Sequence, residues 1–110
     1  MKLPNGERAQ VDIVKLRDYS LNPEHPRGRH KARVFTASVG FKAEDAEELR
    51  RELLSAARHS EAVLADRDEF GQRYTVDFML RGPRGQARVR STWIVRSKED
   101  FPRLTSCYIL

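Results

Sequence analysis

Only one cysteine, Cys107, stands among the 110 residues. A lone thiol closes no disulfide within the chain, and no Cys or His spacing reads as a zinc site, so no metal is expected. Cys107 lies in an apolar run and is expected to be a small buried side chain. No apolar stretch approaches the ~20 residues of a membrane-spanning helix, so a helical span is not expected. The opening "MKLPNGERAQ" lacks the apolar core of a secretory signal, and the expected location is the cytoplasm. Repeats, linkers and low-complexity tracts are also missing, and nothing implies a cofactor. A chain of this length suits one domain, 1–110, with a modest core.

What is present is charge: 34% of residues are charged, 39% are hydrophobic, and the net charge is +5. The excess is uneven. Residues 1–40 hold eight Lys or Arg against four acids, 41–70 hold five against nine, and 71–110 hold eight against three. An acidic middle between two basic flanks favours a polyanionic partner on a surface built from the flanks. Sixteen of the 21 basic residues are Arg, which a solvated surface would also tolerate.

The hydrophobic period changes along the chain. The segment "AQVDIVKLRDYSL" could be a short strand, one helical turn or an extended arm. Pro23 and Pro26 then forbid helix through Gly28. From His30, Ala32, Phe35 and Val39 recur at helical spacing, and Gly40 is a natural stop. A second helix follows over "KAEDAEELRRELLSAARH", with Ala46, Leu49, Leu53, Ala56 and Ala57 on one stripe. Its first turn is acidic and its last basic, as the helix dipole favours, and Glu47 and Arg51 form an expected i,i+4 pair. Beyond it the period becomes two. "EAVLADRDEF", "QRYTVDFMLRG", "QARVRSTWIVRS" and "RLTSCYIL" read as strands, the middle two joined by a hairpin at "GPRG".

The expected fold is therefore α+β: an N-terminal arm, two consecutive helices, then a three- to four-stranded antiparallel sheet. Helices should cover the face carrying Tyr74, Val76, Phe78, Val89, Trp93 and Val95. The opposite face should then show Arg73, Arg81, Arg88, Arg90, Thr92 and Arg96. Asp77 is the one acid there, and it is expected to pair with a neighbouring Arg rather than act as a base.

One stretch concentrates reactive residue types. "LNPEHPRGRHKARVF", residues 21–35, contains His25, Arg27, Arg29, His30, Lys31 and Arg33. Cleavage of RNA by its own 2′-hydroxyl needs a group that exchanges protons near neutral pH, most often His. It also needs fixed positive charge on the phosphate oxygens. This stretch offers both without a metal. The plainer reading is that His25 caps a turn, His30 is a helix-start residue and the cations are merely exposed.

The segments "KLRDYSLNPEHPRGRHKARVFTASVGF", "FGQRYTVDF", "STWIVRS" and "PRLTSCYIL" resemble an uncharacterised bacterial domain family. Its pattern begins K-L-x-x-Y-x-L-N-P-x-H-P-x-G-x-x-K-A-x-x-F, and the resemblance runs from about Lys15 to the C-terminus. It singles out His25, Gly28, Lys31, Ala32, Trp93, Arg103 and Thr105. The closing strand departs from the family's "RLVTCY": Ser106 stands where the family has threonine, and Thr105 lies one position earlier. Members are similar to the C-terminal toxin domains of polymorphic toxins and to the toxins of toxin–antitoxin pairs. By analogy of fold alone, they resemble the ribonuclease toxins grouped with barnase, EndoU, colicin and RelE.

That resemblance implies a metal-independent endoribonuclease toxin. Its candidate catalytic residues are His25, His30, Lys31, Thr92, Arg103 and Thr105. Arg27, Arg29, Arg33, Arg73, Arg88, Arg90 and Arg96 are the candidate nucleic-acid contacts. The implied partners are RNA, either tRNA or mRNA, and a small antitoxin protein encoded nearby. The apolar end "CYIL" could also pair two copies through the C-terminal strand. The alternative is a non-catalytic nucleic-acid-binding or protein-interaction module.

Overall fold

A computed structural model describes residues 1–110. The arm is not a strand. It makes a 3-10 turn at Gly6–Arg8, a short helix α1 (Ile13–Lys15) and a π-helical turn over Leu16–Ser20. Asp12 caps α1 by accepting the backbone N–H of Val14 at 2.9 Å. Of the three forms the segment allowed, the helical turn is the one present, and its one β contact is a parallel bridge between Gln10 and Arg103.

Helix α2 spans Arg29–Val39 and begins one residue before the expected start. It buries Ala32, Phe35 and Val39 and ends at Gly40, whose φ of 79° suits a residue without a Cβ. A 3-10 turn, Ala43–Asp45, leads into α3 (Ala46–His59), which buries Ala46, Leu49, Leu53, Ala56 and Ala57. That is the whole stripe expected from the period. The ion pair differs: Glu47 bonds Arg50 at 3.4 Å, one turn position short of Arg51.

Four antiparallel strands follow, β1 (Ala62–Asp68), β2 (Gly71–Gly82), β3 (Gly85–Arg96) and β4 (Pro102–Ile109). They form a meander in the order β1-β2-β3-β4. The two long strands pair in unbroken register from Gly71↔Arg96 to Gly82↔Gly85. The helices cover the face holding Tyr74, Val76, Val89 and Trp93, with Phe78 and Val95 packed partly buried against it. Burial of a large apolar side chain is worth about 1.5–3 kcal/mol, and Trp93 and Phe35 are fully buried. The polar atoms there are satisfied. Trp93 Nε1 donates to Ser91 Oγ at 2.9 Å, and Ser91 donates on to the Val76 carbonyl at 2.7 Å.

Two edges bound this sheet. On β4, Gln10 accepts from the Leu104 N–H and donates to the Pro102 carbonyl, at 3.0 and 2.9 Å. On the other side, β1 pairs with β2 alone and bulges between Leu64 and Arg67. No helix is long and apolar enough to cross a membrane.

Candidate nucleic-acid interface

Alternation along β2, β3 and β4 places one set of side chains on the face the helices leave open. Cross-strand register groups them into rows: Arg73, Ile94 and Arg103; Thr75, Thr92 and Ser106; Asp77, Arg90 and Tyr108. Successive rows lie about 7 Å apart along the strands. Ile94 is buried although it faces outward, because the stems of Arg73 and Arg103 flank it.

The centre is a cluster of hydroxyls. Thr92 Oγ1 lies 2.6 Å from Thr105 Oγ1 and 2.9 Å from Ser106 Oγ. Consecutive residues of a regular strand point to opposite faces, so Thr105 and Ser106 should not both reach Thr92. A bulge resolves this. Thr92 pairs with Ser106 while Trp93 pairs with Leu104, which leaves Thr105 as the extra residue. Lys15 holds the bulge from the arm, donating to the Thr105 carbonyl at 2.5 Å. Thr105 Oγ1 also reaches the Thr92 carbonyl at 3.0 Å. Three protons serve the shorter contacts when Ser106 donates to Thr92, Thr92 to Thr105, and Thr105 to the Thr92 carbonyl; the Ser106 carbonyl, 3.3 Å from Thr92 Oγ1, is the alternative acceptor for the Thr92 proton.

Cations border the cluster on both sides. Arg90 forms two parallel bonds to Asp77, both 2.9 Å, as anticipated for the one acid on the face. That hydrogen-bonded pairing holds the Asp77 carboxyl below its usual range against the opposing cost of burial. It raises the Arg90 guanidinium, with the Tyr108 hydroxyl a smaller contributor. The Lys31 ammonium sits 5.4 Å from the centre of the Tyr108 ring. So Lys31 reaches the sheet through Tyr108. On the far side Arg103 is bidentate to Glu99 at 2.9 and 2.8 Å and stacks on Phe101 at 4.9 Å. Arg73 is tied to Asp66 and Asp68 at 3.3 and 2.7 Å. Arg81, Arg88 and Arg96 are exposed and make no ion pair.

In the proline-rich motif, His25 is engaged by the backbone that follows it. Nδ1 of His25 accepts the backbone N–H groups of Arg27 and Gly28, at 3.0 and 3.1 Å. Its ring meets Tyr19 edge-on, with centroids 4.6 Å apart. Two donors on Nδ1 put the ring proton on Nε2, so the basic nitrogen is occupied by the loop. Asn22 closes the preceding turn by accepting the Glu24 N–H at 2.9 Å. Gly28 is buried, and a Cβ there would overlap the Tyr19 carbonyl oxygen. Ala32 and Phe35 are core. These residues build the loop and seat α2.

The structure thus brings together Thr92, Thr105, Arg90, Arg103 and, through Tyr108, Lys31. It does not bring His25, whose contacts are with Arg27 and Gly28 of its own loop and with Tyr19 of the preceding turn. His30, Arg27, Arg29 and Arg33 are exposed on the loop or on α2 and make no ion pair. The roles of Tyr108 and Lys15 are not evident from the sequence. The signal for Lys15 was its place in the motif; Tyr108 had only its alternation with Cys107.

Cys107, by contrast, is buried in the core, and burial pushes its thiol up to about 11. A family model described as a domain of unknown function, DUF6883, matches residues 2–110. No curated protein matches the chain.

Proposed function

The chain belongs to the DUF6883 family, and on that premise we propose that its open sheet face binds the phosphate backbone of RNA. The observation that carries this reading is the row structure of that face. Hydroxyls of Thr92, Thr105 and Ser106 lie between Arg90 with Tyr108 and Lys31 on one side, and Arg103 on the other. Ion pairs orient Arg90 and Arg103, while Arg81, Arg88 and Arg96 are free to meet phosphates. Hydroxyls suit RNA in particular, since the 2′-hydroxyl both donates and accepts.

The finer form of the proposal is a metal-independent endoribonuclease acting as the toxin of a toxin–antitoxin pair. Lys31 and Arg90 would meet the charge that builds on the phosphate oxygens, and Arg103 would hold a flanking phosphate. His30, exposed in the first turn of α2 and next to Lys31 in the chain, is the motif's imidazole that makes no hydrogen bond, and it would have to approach the face from α2. The 2′-oxygen would attack the adjacent phosphorus and pass its proton to His30. The 5′-oxygen would leave and take that proton back, giving a 2′,3′-cyclic phosphate and a 5′-hydroxyl. An acidic antitoxin fits the same cationic face.

The test is fluorescence anisotropy with a labelled RNA hairpin at several salt concentrations, alongside incubation of tRNA and total RNA in EDTA. Salt-sensitive binding with cyclic-phosphate ends supports the finer form. Binding without cleavage overturns the nuclease and keeps the binding face. Absence of binding at low salt overturns both.

A further inference from the structure

A second hollow lies away from the sheet face. It has a volume of about 590 Å³ and is bounded by the loop before α2, one side of α2, the turn before α3 and the tip of the β2–β3 hairpin. Its floor is mostly carbon, from Leu21, Pro23, Ala37 and Ala43. The hairpin tip is held against α2, since the Arg84 N–H donates to the Val39 carbonyl at 3.2 Å. The hollow is therefore set by backbone contacts rather than by side chains alone.

Three cations, Arg33, Lys42 and Arg84, stand at its rim with a single acid, Glu44. None of the four is in an ion pair. The one neutral side-chain donor, the Thr36 hydroxyl, is already given to the Phe41 carbonyl at 2.8 Å. The side chains still free to donate to a ligand's polar end are thus the charged ones, with a net excess of positive charge. An apolar floor with few, convergent polar groups in this size range is the usual form of a small-molecule site.

We propose that this hollow binds a carboxylate carried on a flat apolar body. The body covers Leu21, Ala37 and Ala43, and the carboxylate meets Arg33, Lys42 and Arg84. The site is separate from the RNA-binding face and does not depend on it. The same chemistry occurs in a free aromatic acid and in the C-terminus of a peptide that ends in an aromatic residue.

The experiment titrates the full chain with 2-naphthoate, followed by amide NMR shifts. Parallel titrations use 2-naphthalenemethanol and a tripeptide ending in phenylalanine, as free acid and as amide. Expected are saturable shifts confined to Thr36, Ala37, Ala43 and the Arg84 turn, at least tenfold weaker for the neutral alcohol. Ala37→Gln, which fills the floor from an exposed helix position, and Arg33→Gln with Lys42→Gln should each weaken 2-naphthoate at least tenfold. RNA binding by Ala37→Gln should be unchanged. Tighter binding of the peptide acid than of naphthoate names a chain terminus as the source, and the reverse order names a small acid. Shifts elsewhere, equal affinity for acid and alcohol, or indifference to Ala37→Gln would overturn the site.

Discussion

Asp77 and Arg90 face each other directly across β2 and β3, and both guanidinium–carboxylate bonds measure 2.9 Å. The pair sits on the open face with its charges half-solvated, next to the hydroxyl cluster. Its main effect is to aim Arg90. Because the carboxyl of Asp77 is lowered in the folded protein, its contribution to stability is complete above the ordinary carboxylate range and is lost as pH falls through the folded value. Asp77→Asn should therefore flatten the acid limb of a stability–pH curve and cost about 1 kcal/mol at neutral pH, read by urea melts from pH 2 to 7.

His25→Ala should destabilise the fold, because two backbone N–H groups lose their acceptor. The expected cost is about 1–3 kcal/mol, read as a lower urea midpoint. RNA affinity per folded molecule should be preserved. A loss of affinity with unchanged stability would return His25 to the binding site.

At Gly28, any side chain meets the Tyr19 carbonyl. Gly28→Ala should cost about 2–3 kcal/mol, seen as a drop in Tm, since backbone rather than a flexible side chain must move.

Arg88 and Arg96 are unpaired cations of the open face. Each change to alanine should lower the slope of log affinity against log salt by about 1, with little effect on stability. Arg51→Ala, on the exposed surface of α3, should leave the slope unchanged.

The Cys107 thiol is buried and raised to about 11. It should resist a thiol reagent at pH 8 in the folded protein and react at once in denaturant. Fast labelling without denaturant would mean that β4 opens readily.

Much of this was legible in the amino-acid order. Period-two alternation placed Trp93 and Tyr74 inward, and Arg90 and Thr92 outward, because side chains on a strand alternate faces whatever the strand packs against. The period of 3.6 identified the buried stripe of α3 down to Leu49 and Leu53. Asp77 was readable as an arginine's partner because it was the one acid among cations.

Other features depended on contacts between residues far apart in the chain. The extra residue at Thr105 leaves no local signal, yet it puts Thr105 and Ser106 beside the same Thr92. Proline and glycine marked residues 21–28 as a stiff loop, but His25 turned its basic nitrogen inward only because the folded loop offers it two N–H groups. Lys15 and Lys31 gained their roles from the packing of the arm and α2 along β4, and Ile94 is buried by arginine stems from its two neighbouring strands. Local periodicity decides which face a residue joins; bulges, edge contacts and the direction of a ring nitrogen are decided by the tertiary structure, because their partners lie tens of residues away or exist only once the loop has closed.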